Sequence, residues 1–468
     1  VIGRSTLISA LLALPFVAAG VAHGRGEETL LDFRMPVSDP LPTGFFPTMS
    51  KPIDLDGDGF VDLVVAGRDP DDRLVTMTGL GTGRFTLRQT LQADGFVDWL
   101  DVADIDGDEV VDIVAAWRGG AGKLVVYRGL GAGAFDAPAE LLPLGRDPQG
   151  LALGDFDGDG DVDVAISLYI GSAVEVLSND GTGAFERTSF VRLGQFFGGF
   201  VYPRLVQAGD IDGDGDLDLV ANEIGGGRLA VLRNEGGRFG RAREYRAPVI
   251  AGERPGIAAL QLVDLDGDGD LDIGCPVILL YATQKYLGLV NDGAGGFDAS
   301  VVGEGSPQGY AFEVEFADFD GDGDIDAASG VALPGAIVVS RRLNDVAFDF
   351  EPDELLFFGS LVRHLVAVDV DNDCDLDLVG VEGPGQAVFT SINRTQPKGC
   401  GGGVASTDGD GEAVADAKPK PGPKPARGPA PEVDRDHDGV FGASDVAAWL
   451  AERSQPDRAK PQAAEGKR

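Results

Sequence analysis

Seven acidic runs carry most of the chemistry that this 468-residue sequence offers. Each spans nine residues, with aspartate at positions 1, 3, 5 and 9 and, in most of them, glycine at positions 4 and 6. The first two runs present Asp54, Asp56, Asp58 and Asp62, and Asp104, Asp106, Asp108 and Asp112. Five further runs carry an additional aspartate at position 7. They are Asp155, Asp157, Asp159, Asp161 and Asp163; Asp210, Asp212, Asp214, Asp216 and Asp218; and Asp264, Asp266, Asp268, Asp270 and Asp272. The last two are Asp318, Asp320, Asp322, Asp324 and Asp326, and Asp369, Asp371, Asp373, Asp375 and Asp377. Carboxylates at positions 1, 3, 5 and 9 of a tight turn converge on one point. The carbonyl of position 7 adds a fifth ligand, from Phe60 and Val110 in the first two runs. Hard oxygens in that number suit Ca²⁺, which takes roughly six to eight at ~2.3–2.6 Å, better than Mg²⁺, which demands a stricter octahedron and keeps its waters. Four or five aspartates packed this closely repel unless a cation sits among them. A solvated Asp/Gly turn accounts for one such run, but not for seven with the same spacing.

The elements that must position these carboxylates follow from what flanks them. The first half of most runs matches an EF-hand loop, D-x-D-x-D-G. The closing acid comes at position 9 rather than 12, and apolar runs such as Leu63-Val64-Val65 and Leu219-Val220-Ala221 follow at once. The loop therefore leads into a strand, not a helix. Successive copies start 50, 51, 55, 54, 54 and 51 residues apart. Each unit adds an alternating strand such as Ala173-Val174-Glu175-Val176-Leu177, a Gly-rich turn ending in phenylalanine such as Gly181 to Phe185, and a fourth strand. Four short strands per unit at this period predict propeller blades that stack into one core. The expected fold is all-β: a seven-bladed β-propeller of four-stranded antiparallel blades over residues 29–397. Its last blade lacks a fourth strand, which Leu31–Pro36 is expected to supply from the front of the chain.

Outside this array, residues 1–22 read as a secretory signal, with Arg4 ahead of an apolar segment and small residues before His23. Residues 398–431 form a Gly/Pro/Lys-rich linker that cannot build a core. In 432–453, Asp434, Asp436, Asp438, the carbonyl of Val440 and Asp445 take EF-hand positions before a helical run, and 454–468 form a disordered tail. The net charge of −39 argues against nucleic acid and anionic membrane as partners. Three cysteines make no disulfide framework, and pairing of Cys374 with Cys400 is left open. Only His364 among three histidines falls in the array, which disfavours imidazole catalysis and a His-ligated zinc site.

The Asp runs, with the following Gly-rich turns ending in Phe85, Phe135, Phe185 and Phe297, resemble FG-GAP/VCBS repeats, the units of the integrin α-subunit propeller. That resemblance implies Ca²⁺ between the first and second strands of every blade, about seven ions in all. Two runs depart from the pattern at position 6, where Glu109 and Cys374 replace glycine, and are expected to bind more weakly. The loop at Asp434 resembles a dockerin-type repeat, which implies a cohesin-type partner and one further Ca²⁺. Only one half is present where a dockerin pairs two, and a small Ca²⁺-stabilised tail is the alternative.

The expected function is a secreted, periplasmic or cell-surface binding or adhesion module with structural calcium and a protein or glycan ligand. The alternatives are a propeller-based polysaccharide lyase or hydrolase, and a surface scaffold attached through its tail. In a propeller the Asp loops lie on one face, so the ligand is expected on the other. Long aromatic connections there contain Phe196, Phe197, Phe200 and Tyr202, and Tyr281 and Tyr286. Trp99, Trp117 and Tyr310 are weaker candidates. Catalysis would need an acid/base pair. Glu223, Glu313, Glu315, and His364 beside Arg363, lie outside the loops but in no catalytic motif.

Overall fold

The computed structural model describes residues 31–395, except 69–72, 94, 119–121, 145–146, 194–201, 224–225, 251–254, 279–284, 305–310, 332–335, 343–349, 358–360 and 384. The signal-like segment, the linker and the loop at Asp434 to Asp445 lie outside the described residues, as does Cys400.

Seven antiparallel sheets form in chain order, and the innermost strands pack against each other in a closed cycle. In the first blade the strands run Phe46–Ile53, Asp62–Arg68, Arg73–Gly79 and Phe85–Gln92, from axis to rim. The second strand of each blade is the driest. Asp163–Leu168, Asp218–Glu223 and Asp377–Glu382 are buried at every position, because sheets cover both their faces. This is why their sequences read as continuous apolar runs after the Asp loop. The outer strand Phe185–Arg192 is mostly exposed and alternates instead. The core is a series of slabs between blades, such as Leu63, Val65, Val75 and Met77 packed against Val366, Val379 and Val388 across the ring closure. Each such side chain contributes about 1.5–3 kcal/mol by leaving water.

Closure follows the expected plan with shifted bounds. The seventh blade contains Val362–Val368, Asp377–Glu382 and Ala387–Ser391, and its outer strand comes from the start of the chain. That strand is Val37–Pro40, paired Val37 to Thr390 through Pro40 to Ala387, not Leu31–Pro36. Leu31 to Arg34 continue the seam irregularly, through a bridge of Phe33 to Asn393 and the Arg34 N–H donating to Ile392 O at 2.8 Å. Pro36 has no N–H to donate, so a regular ladder cannot run through it. Buried Asp39 then ties the clasp to the first blade, accepting from Phe85 N–H at 2.8 Å and Arg84 Nε at 2.9 Å.

Candidate functional site

The Asp loops share one internal wiring. In the third loop Asp155 accepts the N–H groups of Gly158 at 2.7 Å and Gly160 at 3.0 Å, and Asp159 accepts that of Asp161 at 3.0 Å. Positions 4 and 6 must adopt φ > 0 for this, and Gly158 and Gly160 do so at 79° and 95°. Glu109, Asn372 and Cys374 are held in the same region at 64°, 59° and 77°, as their place in the loops requires. The position-9 aspartate is a staple. Asp163 is fully buried; its Oδ2 accepts Phe156 N–H at 2.9 Å and its Oδ1 accepts Asn179 N–H at 2.8 Å, at the end of the third strand. Asp62, Asp112, Asp218, Asp272, Asp326 and Asp377 make the same pair of contacts. Position 7 also works toward the Gly-rich turn, where Asp216 accepts Gly236 N–H at 2.7 Å.

These groups suit a hard cation. Carboxylate oxygens of Asp54, Asp56 and Asp58, of Asp104, Asp106 and Asp108, and of Asp210, Asp212 and Asp214 lie within 4.8 Å of one another. In the third and fifth loops the converging trios are Asp155, Asp157 and Asp163, and Asp264, Asp266 and Asp272. Oδ1 of Asp56, Asp106, Asp212 and Asp371 is buried with no hydrogen-bond donor, which is costly for an anionic oxygen unless a cation meets it. The position-9 groups record the same deficit. Burial first, and then the neighbouring aspartates, push Asp163 and Asp218 up to about 6, Asp272 to about 7, and Asp326 and Asp377 to about 8, against the lowering effect of their backbone donors. A cation in the loop reverses that balance.

Two residue types that the sequence reading passed over join these loops into a ring. The asparagine before the Gly-rich turn donates twice from Nδ2. Asn179 reaches Ile105 O of the preceding blade's loop at 2.8 Å and Val162 O of its own at 3.1 Å, and its Oδ1 accepts Gly183 N–H at 2.9 Å. Asn234, Asn291 and Asn393 repeat the contact to Phe156 O, Ile211 O and Phe319 O of the preceding loops. An arginine works in the other direction. Arg88, Arg128 and Arg233 pair with the position-3 carboxylates of Asp56 (2.7 Å), Asp106 (2.6 Å) and Asp212 (2.9 Å). Each also donates to a Gly-turn carbonyl of the next blade, at Ala132, Thr182 and Ala294. The recurring Asn-Asp-Gly at 179–181 and 291–293 was the available signal.

The other face is organised by a bulge. In six blades the register between the first two strands slips at the same place, ahead of the Asp loop, as between Val97 and Trp99 or Val362 and His364. A bulge re-aims side chains. The residues six before each loop are Thr48, Asp98, Gln149, Arg204, Ala258, Phe312 and Arg363. Two residues further out, where the inner strands enter, stand Phe46, Phe96 and Tyr202, exposed by 45%, 47% and 38%. Below them the inner strands surround an axial cavity of about 110 Å³, lined by Trp99, Glu313, Glu315 and His364 among others. Arg204 pairs with Glu313 at 3.2 Å; burial lifts that carboxyl to about 7 although Arg204 opposes it. Burial, then Lys51 and Arg204, depress His364 to about 3, so it is a neutral imidazole standing edge-on to Trp99.

Of the aromatic candidates, Tyr202 stands on this face, its ring 4.9 Å from that of Tyr169. Tyr286 does not. It is fully buried between blades, against Phe316 and Phe350, with its hydroxyl 2.6 Å from Ser329 Oγ. The strand Lys285–Asn291 starts earlier than the loop reading assumed, and alternation turns Tyr286 inward. Phe196, Phe197, Phe200, Tyr281 and Tyr310 lie outside the described residues. Trp117 is core between the first and second blades. Cys275 is buried, and Cys374 is on the surface of its loop.

A family model for the FG-GAP-like repeat matches residues 54–115, 110–166 and 210–275, stretches that include the first five Asp loops. No curated protein matches the chain. Among solved structures, BBS1N in complex with ARL6DN aligns with a TM-score of 0.51 at 12% identity, covering 79% of this chain and 98% of the other. A lectin from Agrocybe aegerita that recognises non-reducing terminal N-acetylglucosamine aligns with a TM-score of 0.48 at 20% identity, covering 78% and 94%. At 12% identity the first of these speaks to the fold alone. The matched repeats, together with seven four-stranded blades closed by a strand from the front of the chain, make this protein an FG-GAP-repeat β-propeller.

Proposed function

We propose that the chain is a non-catalytic, calcium-stabilised binding propeller of the cell exterior, whose ligand is a protein or glycan taken on the face opposite the Asp loops. One observation carries this reading. The loop carboxylates are committed to bracing strands and blades, whereas the opposite face presents exposed aromatics around an axial mouth. Calcium in this reading is structural, and binding it is folding free energy. The recurring all-oxygen donor sets and the unmatched Oδ1 atoms support that role. Secretion is supported by the N-terminal sequence pattern and by the millimolar Ca²⁺ available outside cells. A catalytic role is less well supported, because Glu313 is held by Arg204 and His364 is a neutral channel residue.

The test is a glycan and protein array probed with the calcium-loaded chain, followed by Tyr202→Ala and Phe46→Ala. The expected result is a ligand whose binding falls at least ~10-fold in one of these variants with the melting temperature unchanged. Binding that survives both and is instead lost on replacing exposed residues of the Asp-loop face would refute the reading.

A further inference from the structure

At the mouth opposite the Asp loops, the bulged residues and their neighbours form a chain of ion pairs that runs partway round the axis. Arg68 of the first blade pairs with Asp98 of the second, Nε to Oδ1 at 2.6 Å. Arg118 bridges Asp98 at 2.9 Å to Asp147 of the third blade. Thr48 donates to Val97 O at 3.0 Å. Across the channel Arg204 donates to Ala258 O at 2.6 Å and to Glu313. Arg363 of the seventh blade occupies the equivalent bulge position and opens to solvent, and among the described residues it has no hydrogen bond or ion pair. Although the residue reaches solvent, partial burial of its guanidinium, and then the like charges of Arg68 and Arg204, hold its pKa below the usual arginine value, with Asp98 opposing.

The site around Arg363 is built rather than accidental. Gly383 lies beneath its stem: a Cβ there would stand 3.2 Å from both Cγ and Nε of Arg363. Phe46, in the neighbouring blade across the ring closure, is exposed and sits directly opposite Arg68 in the sheet register. A guanidinium with no hydrogen bond or ion pair among the described residues, a second arginine and an exposed aromatic thus stand at one mouth, on the packed inner strands of adjacent blades and beside them, in a protein whose net charge is −39.

We infer that Arg363 and Phe46 form an anion-binding subsite for a carboxylate-bearing sugar, a uronate residue of an acidic glycan. A guanidinium matches a carboxylate with two parallel hydrogen bonds. The ring that bears the carboxylate offers C–H faces to the aromatic. A monoanion is preferred over phosphate because the neighbouring Arg68 is already paired with Asp98, whose carboxylate stands nearby. This deepens the binding reading above and rests on it.

The experiment is calorimetric titration of the calcium-loaded full chain with oligogalacturonate, alginate and hyaluronan oligosaccharides, and with the methyl esters of the same oligosaccharides. One acidic oligosaccharide is expected to bind, with its ester at least ~10-fold weaker. Arg363→Ala is expected to abolish binding at an unchanged melting temperature, and Arg363→Lys to retain a minor part of it. Phe46→Ala and Gly383→Ala should each weaken it severalfold. Equal binding of acid and ester, unaltered binding by Arg363→Ala, displacement by inorganic phosphate below the sugar's own concentration, or no acidic sugar binding at all overturns the inference. A neutral ligand lost in Tyr202→Ala but kept in Arg363→Ala would sink the subsite while sparing the binding reading. No ligand of any class on this face sinks both.

Discussion

The two faces of the ring use charge in opposite ways. On the Asp-loop face every position-9 carboxylate accepts two backbone N–H groups, and asparagines and arginines carry the wiring from blade to blade. Substitutions there break strand-to-strand contacts. On the opposite face the charged groups are side chains on bulges, pairing with one another at the rim of a channel, and one of them, Arg363, is unengaged among the described residues. The contrast teaches that the densest cluster of functional-looking residues serves the scaffold, whereas the sparser cluster can be altered without breaking strand-to-strand contacts.

The sharpest way to break this comparison is to remove calcium. One site held at a hundred times its Kd contributes about 2.7 kcal/mol, and a kcal/mol moves the melting temperature of a chain this large by roughly 2–4 °C or less. Chelation acting on several loops is therefore expected to lower the melting temperature by roughly ten degrees or more, read by calorimetry. An unchanged melt in EDTA would remove calcium from the scaffold.

The next effect is the pH dependence of the chelated protein. Asp163, Asp218, Asp272, Asp326 and Asp377 have folded-state pKa values raised to between about 6 and about 8. A raised carboxyl contributes stability below its unfolded value near ~3.9 and loses it as pH climbs through the folded value. Calcium-free protein should thus become less stable from about pH 4 to about pH 8, while calcium-loaded protein holds its melting temperature. Thermal melts across that range decide it, and a chelated protein that gains stability with rising pH contradicts the assignment.

A single-residue contrast comes third. Asn291→Ala removes donors to Ile211 O and Leu271 O and the acceptor for the turn. Buried groups left unsatisfied cost roughly 1–3 kcal/mol, so a loss of about 2 kcal/mol is expected in urea melts. Arg363→Ala, on the opposite face, should stay within about 0.5 kcal/mol of the parent. Equal effects from the two would erase the distinction between faces.

The smallest effect is a gain. Glu109→Gly relieves a residue held at φ 64° in the second loop, worth roughly 1 kcal/mol. Calcium affinity measured for the variant should rise severalfold, and a fall would mean that the Glu109 side chain serves the loop.

Much of the fold was legible because the signals are local. The Asp runs, the apolar second strands and the Gly-turn phenylalanines each lie within one unit, and their period alone predicts blades. The clasp was legible by subtraction, though Pro36 moved its regular part to Val37–Pro40. Asn179 and its counterparts were visible in the sequence but carried no chemistry until their Nδ2 donors were seen to reach the blade before. Tyr286 was misplaced because a strand start shifted by a few residues exchanges outside for inside.

The sequence by itself determined the seven acidic loops, the number of blades and the order of strands, since nine-residue spacing and repeat period need no tertiary information. Only the closed ring decided what the mouth contains. Phe46, Arg68, Arg204 and Arg363 are drawn from three blades and are separated by up to hundreds of residues. Nothing in their local patterns couples them. They share a rim because a bulge recurs at the same step of the inner strands and because ring closure sets the seventh blade beside the first.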